Sequence, residues 1–146
     1  MVCRPLALGR PTATSPHPCR TMFSHAFYKV VHIVGLVLVM SALGATAIHA
    51  LNGGTRQTNR ARALVAALHG VGVLLLLVGG FGMLARLGFL HGSAFPGWLW
   101  VKLAIWVTIA ALLFLPYRRP ALAKPIYVAL PILGGIAAWM AIYKPV

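Results

Sequence analysis

Four ionisable side chains interrupt the apolar stretches of this sequence: His32, His49, His69 and Lys102. An imidazole nitrogen can bind a transition metal, and an ammonium group can bind a carboxylate or a phosphate. Ionisable residues cost about 2.5–3.5 kcal/mol at the centre of a membrane helix, so they are functional candidates wherever they occur there. The chain contains no aspartate and no glutamate. A side-chain carboxylate that meets Lys102 below the membrane surface must therefore come from outside the polypeptide.

The lack of acidic residues also excludes several functions. General acid–base catalysis by carboxylates is impossible, and so are calcium or magnesium sites built from carboxylates. Proton relays through Asp or Glu are the usual device of membrane transporters, so a small permease is the least favoured function. Cys3 and Cys19 both precede the first apolar segment. The body of the protein is therefore not held together by disulfides or by thiolate metal sites.

The composition is that of a membrane protein. Of the 146 residues, 60% are hydrophobic and 9% are charged, whereas soluble domains have about 45–50% apolar and about 25% charged residues. The net charge is +13, but the cations lie singly or in small clusters at the ends of apolar segments. This placement favours anionic lipids or an acidic partner subunit, and it argues against nucleic acid as a partner.

Four apolar segments are long enough to cross a hydrocarbon core about 30 Å thick. They cover approximately residues 28–50, 63–86, 97–115 and 126–143. The connections are about ten residues each, so consecutive helices must run antiparallel. Since bare backbone is not tolerated in lipid, the prediction is an all-α integral membrane protein with four transmembrane helices in an up-down bundle.

The N-terminal tail, residues 1–21, carries four prolines and three arginines. It lacks the apolar stretch of about 7–15 residues that a secretory signal requires. We expect Met22 to be the true start and the tail to be an upstream extension, or else a disordered segment. Residues 22–146 then form the transmembrane domain.

The loop charges predict an orientation once the tail is set aside. The loops between the first and second and between the third and fourth segments contain six cations, against four on the opposite side. The positive-inside rule then places these loops in the cytoplasm and both termini in the periplasm. With the tail included the count is seven against six, which favours neither orientation. The six loop cations are Arg56, Arg60, Arg62, Arg118, Arg119 and Lys124.

Small residues one turn apart let membrane helices approach closely. The sequence offers this spacing at Ser41 with Ala45 and at Gly134 with Ala138. Gly79, Gly80 and Gly82 form a further group near the end of the second segment. These positions are the predicted helix–helix contacts.

Depth in the membrane decides which ionisable residues are able to act together. His32 and Lys102 each lie about one turn inside their helix, on the side where the first helix begins. His49 lies about 25 Å from His32 along the helix axis. His69 is on the same side as His49, but the two are offset by about 8–10 Å, so a shared metal site would need strain. His32 and Lys102 are therefore the strongest candidate pair, with His69 and His49 as weaker ones.

Each candidate also has a structural explanation. Lys102 could extend its ammonium group to the headgroups, at an interface marked by Trp98 and Trp100. A membrane histidine could simply donate a hydrogen bond to a carbonyl of a neighbouring helix. Both explanations stay open on the sequence alone.

Two stretches resemble a known group of proteins. "YKVVHIVGLV" resembles the K-x-x-H-I pattern in the first helix of small four-helix bacterial membrane proteins, and "GWLWVKLAIWV" resembles the W-L-H-x-K-L stretch of their third helix, with Trp100 in place of the histidine. This group contains the HemJ-type protoporphyrinogen oxidases, with CopD copper-resistance and SirB-like proteins as more distant relatives. The resemblance covers approximately residues 23–144.

The resemblance implies a location in the bacterial inner membrane and a haem b cofactor. It also implies that His32 is the iron ligand and that Lys102 is a key residue, where a haem propionate would suit the lysine. The enzyme would then be a haem-dependent membrane oxidoreductase. The alternative is a non-enzymatic accessory subunit of a membrane complex, whose positive charge contacts an acidic neighbour, anionic lipid or a second copy of the chain.

Overall fold

The computed structural model describes residues 23–87 and 97–143, and within these ranges it is helical, with no β-strand. The predicted all-α fold is therefore confirmed. The N-terminal tail and Met22 lie outside the described residues. The helices of the described ranges are α1 (His25–Leu51), α2 (Arg62–Arg86), α3 (Gly97–Ala111), the single-turn α4 (Leu115–Arg118) and α5 (Ala123–Tyr143), with 3-10 turns at Leu112–Phe114 and Pro120–Leu122.

Four helical spans in the described part of the chain are long and apolar enough to cross a membrane. They are His25–Leu51, Arg62–Arg86, Gly97–Arg118 and Pro120–Tyr143. Helices suit this solvent because they satisfy their backbone hydrogen bonds internally. The chain is therefore a multi-pass membrane protein, as predicted.

The first helix begins and ends at residues suited to those positions. The Oγ of Ser24 accepts a hydrogen bond from the backbone N–H of Phe27 at 3.2 Å, which satisfies a donor that the first helical turn leaves without a partner. Past the C-terminal end, Gly53 adopts a φ of 76°, a left-handed conformation that glycine accepts without strain. The chain then turns back toward α2.

The contacts between α1 and α2 establish that these helices are antiparallel. A Cβ atom placed on Gly79 would lie 2.7 Å from the backbone nitrogen of His32, and one placed on Gly72 would lie 2.7 Å from a methyl group of Val39. Residue numbers thus rise along α1 as they fall along α2.

The same opposite order relates the other neighbouring helices. The pairs in contact are His69 with Ile109 and Val73 with Trp106 between α2 and α3, and Met40 with Gly134 and Gly44 with Tyr127 between α1 and α5. Helix α3 also packs on α5. The four spans therefore form a closed antiparallel ring in the order α1, α2, α3, α5.

The core is small and unevenly shared among the spans. Its buried residues come from every span and are Val39, Leu43, Leu76, Ile109, Leu113 and Leu130. The most apolar windows of the first two spans are 33% and 28% buried inside the protein, against 11% for each of the last two. Lipid or another chain must therefore cover most of the surface of α3 and α5.

The boundary between the third and fourth spans differs from the prediction. The third segment was predicted to end at about residue 115, but Pro116 lies in the first turn of α4 and the helical path continues to Arg118. A proline is tolerated in a first turn because its missing N–H would have no partner there. Arg119 alone links α4 to the following 3-10 turn in this described stretch. The predicted ten-residue connection is therefore wrong.

The small residues predicted to form the helix–helix contacts were confirmed only in part. Gly79 packs against α1 as expected, whereas Ser41 and Ala45 are exposed on the outside of the bundle. A Cβ atom on Gly35 would lie 2.7 Å from the backbone nitrogen of Leu76. The absence of side chains at these positions lets the backbones of α1 and α2 touch.

Candidate functional site

His32 is half-buried on α1 and faces α2. Its Nδ1 lies 2.8 Å from the carbonyl oxygen of Leu76. A carbonyl oxygen only accepts hydrogen bonds, so Nδ1 must carry the hydrogen and donate it. In the neutral imidazole the lone pair is then on Nε2, the nitrogen through which such a histidine binds a metal.

Two glycines allow the imidazole to lie against α2. The backbone of His32 packs directly on Gly79, where a Cβ atom would be 2.8 Å from the Cα of His32. The ring itself lies over Gly80, where a Cβ atom would be 3.6 Å from the ring atoms Cε1 and Nδ1. Two of the three glycines predicted as a contact group near the end of the second segment thus form the surface against which His32 packs.

Lys102 is half-buried on α3. Its ammonium nitrogen lies 4.9 Å from the centroid of the Trp98 ring, within the range of a cation–π contact. The contacts between α2 and α3 set Lys102 near the level of Leu76, whose carbonyl accepts the hydrogen bond from His32. The structure therefore brings the two strongest sequence candidates to one side of the bundle.

Trp106 fixes the register that sets Lys102 at the level of His32. Its indole N–H donates a hydrogen bond of 3.1 Å to the carbonyl oxygen of Val73 on α2. Because α2 and α3 are antiparallel, the residue four positions before Trp106 lies opposite approximately residue 77 of α2. That level is next to Leu76, whose carbonyl accepts the hydrogen bond from His32.

Trp106 was not among the sequence candidates, although the sequence holds a signal for it. Trp98, Lys102 and Trp106 are spaced four residues apart. Residues at this spacing lie on one face of a helix. A face with two indoles and a cation indicates a side that meets polar groups of a neighbouring helix.

His69 is buried between α2 and α3. Its Nε2 lies 3.3 Å from the carbonyl oxygen of Ile109, so this nitrogen carries the hydrogen and donates it. Nε2 of His69 is therefore engaged in a helix–helix contact. This geometry supports a structural function for His69.

His49 lies at the other end of α1, near the loop that follows. Its Nε2 is 3.2 Å from the hydroxyl oxygen of Thr58, and its ring meets that of Tyr117 edge-on at a centroid distance of 6.0 Å. His69 contacts α3 instead. The two weaker candidates thus contact different elements, whereas His32 and Lys102 lie near one level of the bundle.

Among the described residues there is no group of three or more His, Cys, Asp or Glu side chains able to hold a metal ion. A haem iron has different requirements, because the porphyrin supplies four ligands and the protein needs to add a single axial imidazole. His32, with its hydrogen on Nδ1 and its lone pair on Nε2, could supply that imidazole.

Replacing Trp106 by Phe tests the α2–α3 register. The variant is expected to lower the free energy of unfolding by about 0.5–1.5 kcal/mol, because the indole N–H no longer satisfies the Val73 carbonyl. Trp139→Phe is the matched control, since Trp139 is half exposed on α5 and its loss should cost less than about 0.5 kcal/mol. Unfolding in mixed micelles with increasing dodecyl sulfate measures both variants, and equal costs would contradict the assigned contact.

The fold and site together define a small four-span integral membrane protein with a histidine–lysine pair on the side where α1 begins. No protein-family model matches the chain, and neither a curated protein nor a solved structure shows significant similarity to it.

Proposed function

We propose that this protein binds haem b or a related porphyrin near the N-terminal side of the bundle, with His32 as axial ligand and Lys102 paired with a propionate. The observation that supports it best is the hydrogen bond from Nδ1 of His32 to the Leu76 carbonyl. This bond orients the ring and leaves the Nε2 lone pair for iron.

The lack of acidic side chains supports the proposed pairing of Lys102 with a propionate. The sequence supplies no aspartate or glutamate to neutralise Lys102, and a propionate would bring a carboxylate into the same region. The ammonium nitrogen of Lys102 lies 4.9 Å from the centroid of the Trp98 ring, and such a cation–π contact is made to the face of the ring. Lys102 and the iron-binding imidazole would then hold opposite parts of one cofactor.

A bound haem would supply one-electron redox chemistry. The contribution of the chain is to hold the ring, to fix the imidazole tautomer through Leu76 and to neutralise a propionate. This arrangement suits a haem-dependent membrane oxidoreductase similar to protoporphyrinogen oxidases. We place the protein in the bacterial inner membrane, with the α1–α2 loop and the α4–α5 connection in the cytoplasm.

Absorbance of the purified full chain tests the proposal. Protein produced with ample haem supply is expected to show a Soret band in detergent that His32→Ala abolishes. His49→Ala is the matched control and should retain the band, because His49 lies at the opposite end of α1. Lys102→Gln should weaken haem binding by about ten- to a hundredfold, the usual worth of a charged hydrogen bond.

Two outcomes would refute the haem proposal. One is a colourless protein that also fails to take up added haemin. The other is a Soret band of unchanged intensity and position in His32→Ala. Far-ultraviolet circular dichroism and gel filtration of each variant establish that a lost band does not reflect unfolding.

A non-enzymatic accessory subunit is the second candidate. It is favoured by the low burial of the last two spans, whose most apolar windows are 11% buried within the chain. A second copy or a larger membrane complex could cover these faces. A colourless preparation that copurifies stoichiometrically with an acidic membrane protein would favour this function over haem binding.

A further inference from the structure

The end of the bundle opposite to the His32–Lys102 pair contains an open cavity of approximately 320 Å³. It lies between the α1–α2 loop and the end of the third span. The residues that line it are Thr55, Arg56, Gln57, Phe114, Tyr117 and Arg118. Two guanidinium groups from distant parts of the sequence thus meet at one cavity.

We propose that this cavity binds a phosphate ester or a free phosphate, with Arg56 and Arg118 as the principal ligands. Each polar side chain in its lining can donate hydrogen bonds: two guanidinium groups, a phenol, a hydroxyl and an amide. Arginine binds phosphate through pairs of parallel N–H groups, which a cavity with two arginines can present together. The chain has no carboxylate side chain to occupy them.

Arg56 is held in place by an aromatic ring. The central carbon of its guanidinium group lies 4.8 Å from the centroid of Phe114. A guanidinium stacked on a ring keeps the N–H groups at its edge available for an acceptor in its plane. The side chain therefore loses less freedom when an anion binds.

Tyr117 is oriented by two partly buried hydrogen bonds of Asn59. The side-chain amide of Asn59 donates to the phenol oxygen of Tyr117 at 2.6 Å, and the Asn59 carbonyl oxygen accepts from the backbone N–H of Ala61 at 2.9 Å. These two bonds fix which way the amide points. The phenol oxygen is then an acceptor toward Asn59, so its own hydrogen can be donated to a ligand in the cavity.

The loop that carries Arg56 is ordered by a threonine pair. The backbone N–H of Thr55 donates to the hydroxyl of Thr58 at 2.9 Å, and that hydroxyl donates to the Thr55 carbonyl at 3.1 Å. His49 contacts the same hydroxyl from the end of α1. The cavity is thus bordered by a preorganised loop.

The cavity lies where the spans leave the membrane. The residues that line it are close in sequence to two span ends, at Leu51 and Arg118, and to two span starts, at Arg62 and Pro120. Phosphates of anionic lipids are concentrated at this level, and free phosphate reaches it from the aqueous side. The orientation predicted from the loop charges puts the site on the cytoplasmic face. This inference stands apart from haem binding, because the two sites are at opposite ends of the bundle.

Binding of two probes to the purified full chain in a non-ionic detergent tests the site and identifies the source of the phosphate. The probes are short-chain, water-soluble phosphatidylglycerol and inorganic phosphate, titrated by calorimetry in about 150 mM salt, which screens diffuse attraction. At least one probe is expected to bind saturably. Tighter binding of phosphatidylglycerol assigns a lipid headgroup, and equal or tighter binding of inorganic phosphate assigns a free phosphate.

Paired arginine variants distinguish a built site from general positive charge. Arg56→Gln and Arg118→Gln should each weaken binding by about tenfold or more. Arg60→Gln and Arg119→Gln remove the same charge from neighbouring arginines that do not line the cavity, and should change affinity less than about twofold. Arg56→Lys keeps the charge without the planar fork and should also bind more weakly. Equal losses in all four glutamine variants, or no saturable binding of either probe, would overturn the proposal.

Discussion

Gly79→Val is expected to lower the free energy of unfolding by about 2–3 kcal/mol, the cost of forcing extra atoms into a packed interface. A Cβ atom at this position would lie 2.7 Å from the backbone nitrogen of His32 and 2.8 Å from its Cα. Backbone atoms of a helix cannot move aside as a flexible side chain does. The two helices would have to separate, and the hydrogen bond from His32 to Leu76 would be strained.

Gly70→Val is the matched control for this prediction. Gly70 lies on the same helix, and within the described part of the chain a Cβ atom there would meet nothing within 4 Å. Both variants carry the same change in helix propensity. Unfolding by dodecyl sulfate in mixed micelles is therefore expected to separate them by about 2 kcal/mol. If both glycines tolerate valine equally, the close approach of α1 and α2 is wrong.

Asn59→Ala is expected to cost about 2 kcal/mol, because it leaves two partners unsatisfied. Asn59 is a buried polar residue with 9% of its surface exposed. Its amide donates to Tyr117 at 2.6 Å and accepts from the backbone of Ala61 at 2.9 Å. The side chain thus connects the α1–α2 loop with the end of the third span.

A double-mutant cycle with Tyr117→Phe isolates that connection. A coupling energy of about 1 kcal/mol between the two substitutions is expected for a direct hydrogen bond. Asn52→Ala, at an exposed asparagine just after α1, should cost less than about 0.5 kcal/mol. Strictly additive effects of the Asn59 and Tyr117 substitutions would contradict a direct contact between these side chains.

The sequence alone was sufficient for the number of spans, their approximate ends and their antiparallel order. These follow from the length of the apolar segments and from the requirement that a backbone in lipid be helical. The exception is the end of the third segment, predicted at about residue 115, where Pro116 occupies the first turn of α4 and the helical path continues to Arg118. A proline can stand at either kind of helix boundary, so its presence did not decide between them.

For the candidate site, the sequence predicted how far along their helices the residues lie, but not the direction in which each helix turns them. Counting residues along the helices placed His32 and Lys102 at one level. That count says nothing about the rotation of each helix, so it could not tell whether the two side chains face one another. The contacts of His32 with Leu76 and of Trp106 with Val73 show that both of these residues face α2.

Sequence by itself determined that this is a lipid-solvated bundle of apolar helices whose side chains supply cations but no anions. Tertiary structure alone decided that Gly35 and Gly72 lie at the closest contact while Ser41 and Ala45 are exposed on the outer surface. The reason is physical: lipid chains are as apolar as leucine, so hydrophobicity does not distinguish a lipid-facing side of a helix from a packed one. Only the fit between neighbouring helices makes that distinction.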